Sequence, residues 1–253
     1  MIISFILIFF SIFLIVGIVI YVIAFHFLKI KHLIQNTPTS KIRSLAMGFA
    51  EACGKVIPLE NGLFMSPFSN QQCVYYRYTI EEYRSSGKSS AWITIKKDER
   101  QNKFFIRDDT GKVLVDPNNA TIDISKSNVY NSSLGKDPPY NVIRFLETQN
   151  ISFEGPLFKM NRRMRYTEYL IKPNDTLYIM GTVEDNPFVQ DASVVEGVDD
   201  MVFTKGKNVK FYCISDKIEK KIQRKYNLIF VGLFLIGTFI SLMSLIAIIQ
   251  AVM

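Results

Sequence analysis

The sequence predicts a membrane protein in which two transmembrane α-helices flank a β-rich soluble domain of α+β, small-barrel-like type. Three observations carry this. Residues 1–28 and residues 226–253 contain no Asp, Glu, Lys or Arg. All 30 Lys and Arg and all 23 Asp and Glu therefore lie between those two ends. The charged middle is a succession of short aromatic and β-branched runs separated by Gly, Pro, Asn and Asp, the pattern of many short strands.

The first apolar run, Met1 to Leu28, exceeds the roughly 20 residues that a helix needs to cross a bilayer core. A cleaved signal peptide would need a basic leading region, a shorter apolar core and a small-residue cleavage site. No charge precedes this run and Ala24-Phe25-His26-Phe27 makes a poor cleavage site, so a retained anchor is expected. Residues 29–45 read as a juxtamembrane linker broken by Pro38, with Thr39 or Ser40 capping a short helix over 41–45. The soluble domain occupies 46–216, a basic juxtamembrane helix 217–226, and the second span 227–251. In that span Gly237 and Ser241 form a small-xxx-small pair that can seat a neighbouring helix, which leaves a homo-oligomer open. Lys29, Lys31, Lys41 and Arg43 follow the first span, and Lys217, Lys220, Lys221, Arg224 and Lys225 precede the second. Basic residues beside spans favour the cytoplasm. The expected localisation is the cell membrane, as an integral two-pass protein with a cytoplasmic domain and both termini outside.

Within the domain, residues 48–56 read as a first strand. Residues 73–83 form a strong second strand, with Cys73, Tyr75 and Arg77 on one face and Val74, Tyr76, Tyr78 and Ile80 on the other. Residues 85–90 read as a polar loop before a partner strand at 92–95. Residues 103–107 and 112–115 form a hairpin around Asp108-Asp109-Thr110-Gly111, with glycine at a position able to take positive φ. A strand at 120–124, a loop at 125–139 and a helix at 140–148 follow. Residues 163–172 and 176–183 flank a Pro173-Asn174-Asp175 turn. Residues 201–204 and 209–214 flank a hairpin turn at 205–208.

Catalytic chemistry finds little support. Asp109-Thr110-Gly111 spells the aspartic-protease triplet, but Asp and Gly are what a tight turn requires. Gly87-Lys88-Ser89 lacks the glycine five residues earlier that a phosphate-binding loop needs. His26 and His32, the only histidines, lie beside the first span, so no Ser-His triad can form in the domain. Cys53, Cys73 and Cys213 are scattered and odd in number, which fits neither a disulfide framework nor a zinc site. No cofactor and no metal is expected. The dense basic patch Arg162-Arg163-Met164-Arg165 suits solubility and topology, or contact with anionic headgroups at about 1 kcal/mol per basic residue near a membrane. Nucleic acid is disfavoured, because the basic patches lack interleaved aromatics. The candidate contact residues for a partner or lipid are Tyr75, Tyr76, Arg77, Tyr78, Tyr83, Arg162, Arg163 and Arg165. The partners expected are the bilayer and a membrane-associated protein.

A set of positions spread along the chain resembles the GIDE family, the membrane-side domain of MULAN-type E3 ubiquitin ligases and of prokaryotic relatives. They are Pro38-Thr39-Ser40-Lys41-Ile42, Gly48, Gly54-Lys55-Val56, Ser66-Pro67-Phe68, Cys73-Val74-Tyr75-Tyr76-Arg77 and Trp92. Phe104 to Val115 with Asp116-Pro117 continue the series, followed by Arg165-Tyr166-Thr167-Glu168, Pro173 to Tyr178 with Gly181, and Ile214-Ser215-Asp216-Lys217. The resemblance covers roughly residues 38–220 and implies a domain between two spans. It carries scaffold positions and no catalytic constellation. Eukaryotic ligases of this family add a zinc-binding RING after the second span, and three cysteines cannot build one, so the expectation leans away from an enzyme. The leading expectation is a membrane-anchored binding or scaffold module. A ligase-like component acting with partners in trans is the alternative that the resemblance implies, and a lipid or small-molecule sensor is a third.

Overall fold

A computed structural model describes residues 2–87, 89–155, 160–186, 200–207, 211–217 and 219–252, which fall into two compact units: residues 1–38 with 218–253, and residues 39–217. In chain order the elements are α1 (Ile2–Asn36), β1 (Thr39–Ser40), β2 (Gly48–Pro58), β3 (Phe64–Met65), β4 (Gln72–Cys73), β5 (Tyr75–Ser86), β6 (Ser89–Gln101), β7 (Phe104–Arg107), β8 (Lys112–Val115), β9 (Thr121–Asp123) and β10 (Asn128–Ser132). Then follow α2 (Tyr140–Thr148), β11 (Met164–Ile171), β12 (Thr176–Asp185), β13 (Met201–Thr204), β14 (Cys213–Ser215) and α3 (Glu219–Val252).

The first unit is the pair α1 and α3. Both are candidate membrane spans: an 18-residue stretch within Leu7–Asn36 has mean hydropathy 3.0, and one within Glu219–Ala251 has 2.5. α1 has 35 residues, about 52 Å of helix, so it runs beyond a hydrocarbon core and takes in Lys29 and Lys31. The expected linker from residue 29 is therefore helical as far as Asn36; it stops where Pro38 disfavours helical backbone at Thr37. The expected basic helix and second span are likewise one continuous helix from Glu219, residue 218 lying outside the described residues. The pair is antiparallel. Ser244 Oγ donates to the carbonyl of Phe10 (2.7 Å), Tyr21 Oη to Thr238 Oγ1 (2.9 Å) and Lys31 Nζ to Asn227 Oδ1 (2.9 Å). At the centre the helices approach so closely that a Cβ on Gly17 would stand 2.2 Å from Ser241 Oγ. The Gly237/Ser241 pair thus seats α1 of the same chain. Ile8, Ile12, Val19 and Val22 of α1 and Leu235, Phe239 and Leu242 of α3 are exposed, a surface suited to lipid.

The second unit is built around a five-stranded barrel. β2 pairs with β7, β7 with β8 and β8 with β13; β13 pairs with β12, and β12 closes the ring on β2. All these pairings are antiparallel except β8 with β13. Numbered by chain order, the ring runs first, second, third, fifth, fourth, the Greek-key arrangement of OB-type barrels. Inward-facing positions of these strands fill the interior with Ala52, Val56, Phe104, Ile106, Val113, Val115, Leu177, Ile179, Val183 and Phe203, all buried. Where β2 meets β7, a Cβ on Gly54 would lie 2.9 Å from the Arg107 carbonyl oxygen, so only glycine permits that approach.

Two insertions into the barrel make a second layer. β5 and β6 lie between the first and second ring strands; β10, α2 and β11 lie between the third and fourth. Together the strands form an antiparallel sheet in the order β10-β11-β5-β6. Its inner face buries Tyr76, Tyr78, Ile80, Met164, Tyr166 and Leu170 against Val142 and Leu146 of α2. Phe68 anchors this core edge-on, its ring 5.4 Å from those of Tyr78 and Phe145 and 6.0 Å from Tyr166. The turn that presents Phe68 is tied down by the buried Glu168, whose carboxylate accepts the backbone N–H groups of Phe68 and Ser69 and the Asn128 amide. A second buried carboxylate, Glu51, accepts the hydroxyls of Thr39 and Tyr178. Both carboxylates have the partners that burial demands.

Several local expectations change. Thr39 and Ser40 cap no helix; they form β1 beside β2, and a 3-10 turn at Ile42–Ser44 follows without a side-chain cap. The strand breaks at Val74, so Cys73 joins the inner face with Tyr76 and Tyr78, while Val74 and Tyr75 join the barrel core. The 85–90 loop shrinks, because Ser85 pairs with Ser90 and Ser86 with Ser89 around Gly87 at φ +55°; Lys88 lies outside the described residues. The loop at 125–139 contains β10. Asp108 makes the 108–111 turn, its Oδ1 accepting the N–H groups of Thr110 (2.7 Å) and Gly111 (3.0 Å), and Gly111 is not at positive φ. β13 and β14 form no hairpin. They run along the same edge of β12, at 182–185 and 178–180, and Tyr212 lies over Gly181 between them. Residues 208–210, the end of the expected turn and the start of the expected strand, lie outside the described residues.

Candidate functional site

The structure divides the eight candidate contact residues into two groups. Tyr75, Tyr76 and Tyr78 are buried, at 0 %, 8 % and 2 % exposure. They are core, and they offer no contact surface. Tyr75 Oη donates to Glu99 Oε2 (3.0 Å), and burial pushes the Tyr78 hydroxyl up to about 12. Every residue from Cys73 to Ile80 except Thr79 is bulky, which hid from the sequence the face that would be covered by α2 and the turn at Phe68.

The other five residues stand at the surface. Tyr83, Arg163 and Arg165 share the outer face of the second sheet, joined there by Trp92. The register fixes this. Tyr83 lies opposite Trp92, Glu81 lies opposite both Thr94 and Arg165, and the Tyr83 N–H bonds to the Arg163 carbonyl (2.8 Å). Side chains opposite one another in an antiparallel pair share a face. The rings of Tyr83 and Trp92 meet edge to face at 5.3 Å. The Arg163 guanidinium carbon stands 4.4 Å from the Tyr83 ring centre and 5.8 Å from that of Trp92; Arg165 stands 4.4 Å from Trp92. These are cation–π distances. Arg165 Nε also donates to Glu81 Oε2 (2.8 Å), and that bond raises its already high pKa further.

Arg163 differs from its neighbours. It is exposed, and among the described residues it makes no salt bridge. Two aromatic rings orient it. Arg162 turns instead toward Glu82 (3.7 Å), which Arg84 also engages (2.6 Å). The basic run Arg162–Arg165 is thus split between partners. Arg77 lies further along the outer face, stacked on Tyr169 at 4.4 Å. Trp92 is not among the eight residues that sequence reasoning singles out. A lone tryptophan in a strand whose partner strand was already legible was the signal that could have found it.

Among the described residues no three His, Cys, Asp or Glu side chains converge as metal ligands. Burial, followed by the charge of Glu168, holds the Cys73 thiol at about 12, far from a reactive thiolate. Asp109 of the protease-like triplet pairs with Lys41, and Asp108 and Asp109 serve a turn.

A family model described as "GIDE: E3 Ubiquitin ligase" matches residues 75–238. The chain belongs to the GIDE family. The matched stretch of this GIDE protein begins at the first residue of β5 and ends within α3, so it takes in the whole second sheet and the later barrel strands. No curated protein and no solved structure matches the chain.

Proposed function

We propose that this GIDE protein is a membrane-anchored binding and scaffold module that displays its β-rich domain at a membrane surface and meets membrane-associated partners through the outer face of the second sheet. The observation that carries the reading is Arg163, an exposed cation held in place by Tyr83 and Trp92 and matched by no carboxylate among the described residues. A charge that serves only solubility has no need of such orientation. The two spans make the anchoring irreversible and raise the effective concentration of the domain for anything in the same bilayer. The basic residues that follow the first span and precede the second support a cytoplasmic domain with both termini outside.

A photo-crosslinking residue at Asn131, which pairs with Arg165 and is exposed, should give discrete adducts in native membranes. The same residue at Tyr140, 72 % exposed and away from this sheet face, should not. Arg163→Gln should weaken the Asn131 adducts. Equal labelling from both positions, or none from either, would reject the contact face. The family description favours one second reading, a ligase-like component acting with partners in trans. Stimulation of ubiquitin transfer by the full chain in a reconstituted assay would support it, and no change over buffer would remove it.

A further inference from the structure

Resting on the outer face as the contact surface, we propose that Arg163, Arg165, Trp92 and Tyr83 form a headgroup site for the phosphate of an anionic phospholipid.

Three features select this ligand. The first is donor supply. A guanidinium has five N–H donors in a planar fork that matches phosphate oxygens two at a time. Among the described residues Arg163 commits none of them to a carboxylate, and Arg165 commits Nε to Glu81. Their positions 4.4 and 5.8 Å from one indole centre bring both cations within reach of a single headgroup. The second is preorganisation. Stacking on Tyr83 and Trp92 removes rotamer freedom before the ligand arrives, so less entropy is lost on binding. The third is the company these arginines keep. Tryptophan and tyrosine prefer the headgroup level of a bilayer, where an apolar ring and a polar edge are both satisfied. An arginine pair with one indole and one phenol on the same sheet face is the residue set of a membrane interface. An acidic peptide would need only the arginines, and a free phosphate compound would have no use for the half-buried indole beside them.

Trp92 is the only tryptophan in the chain, so all tryptophan emission comes from this site. The full chain would be reconstituted into vesicles of phosphatidylcholine with increasing phosphatidic acid, and Trp92 emission and its quenching by acrylamide recorded. Phosphatidic acid should shift the emission to the blue and shield it from acrylamide. Arg163→Gln should raise the phosphatidic acid fraction at half-change about fivefold, the effect of one basic residue near a charged membrane. Arg163→Lys, which keeps the charge and loses the planar fork, should fall between the two. Lys136→Gln, which removes the same charge at an exposed site elsewhere, should leave the curve unchanged. Circular dichroism confirms folding of each variant. Glycerol phosphate added to phosphatidylcholine vesicles should have no comparable effect. If it saturates the signal at the same phosphate concentration, the site is for soluble phosphate and the proposal fails. If poly-glutamate moves Trp92 and phosphatidic acid does not, the ligand is an acidic protein segment and the proposal fails. In either case, continued Asn131 crosslinking would leave the contact-face reading standing, whereas its absence would end both.

Discussion

Gly181 offers the sharpest test of the barrel. It lies in β12 opposite Ala50 of β2, near the point where β13 gives way to β14 along the other edge. A Cβ there would stand 2.5 Å from Cδ2 and 2.9 Å from Cε2 of Tyr212, and 3.1 Å from the Thr204 carbonyl oxygen. The ring cannot simply move aside. It is 2 % exposed, and its hydroxyl hydrogen is shared by the carbonyls of Asp116 (2.7 Å) and Phe203 (3.1 Å). Overpacking of this kind costs about 1–3 kcal/mol, and loosening the hydroxyl adds on the order of 1 kcal/mol. Gly181→Ala should therefore lose about 2–4 kcal/mol of stability. Tyr212→Ala should lose about 3–5 kcal/mol by leaving a cavity. The two should not add. With the ring gone, the extra methyl fills part of the cavity, and the double variant should be more stable than the sum by about 1–2 kcal/mol. Urea unfolding of the full chain in detergent, followed by far-ultraviolet circular dichroism and by Trp92 emission, measures all four proteins. A Gly181→Ala midpoint equal to that of the parent, or strict additivity, would show that Tyr212 is not the obstacle.

Acid should weaken the domain through Asp108. Burial pushes its carboxyl up, but bonds from the Thr110 hydroxyl and from the N–H groups of Ile42, Thr110 and Gly111 together hold it below its ordinary value. A depressed carboxylate contributes stability above its unfolded pKa of about 3.9 and loses it as pH falls through the folded value. Asp108→Asn should flatten the decline in melting temperature below about pH 4, and an unchanged slope would exonerate this turn. Cys53 is exposed while Cys73 and Cys213 are buried, so a membrane-impermeant maleimide should label one thiol in the folded, permeabilised protein and three after unfolding. Neighbouring strand atoms that screen part of the thiol from water although the residue is exposed, then the charges of Glu51 and Asp108, raise the Cys53 pKa, so labelling should accelerate as pH rises. In sealed right-side-out vesicles Cys53 should stay unlabelled, and prompt labelling there would reverse the orientation. In the helix pair, Gly17→Ala is tolerable if Ser241 rotates its hydroxyl away. Gly17→Val instead brings branched bulk toward the Gly237 carbonyl oxygen, only 3.4 Å from where a Cβ would sit, and should cost about 1–3 kcal/mol in a detergent-unfolding titration. Equal stability of the two variants would argue against the close crossing.

Much of the fold was legible in the chain itself, because its causes are local. Absence of charge over 1–28 and 226–253 is enough to specify two lipid-compatible helices. Short apolar and β-branched runs over 48–56, 103–107, 112–115 and 176–183, bounded by turn residues, specify strands, and helical spacing of Val142, Phe145 and Leu146 after Pro138-Pro139 specifies α2. The candidate site was half legible. Arg163, Arg165 and Tyr83 were marked by their type and density. Their convergence on Trp92 depends on β5, β6 and β11 pairing in one register across long sequence separations, and no local signal reports that. The same holds for Tyr76 and Tyr78, which local patterning cannot tell from surface aromatics until the Phe68 turn and α2 close over them. β10 was missed because Asn128–Ser132 is polar; it is a strand only because β11 offers an edge. Which segments are apolar, extended or turning could be read from the chain alone, since those preferences come from solvation and backbone sterics within a few residues. Which aromatics become core, that Arg163 meets no carboxylate among the described residues, and that five strands close into a barrel all emerged with the three-dimensional fold. Those outcomes come from contacts between residues far apart in the chain, and burial and pairing free energies exist only once such contacts are made.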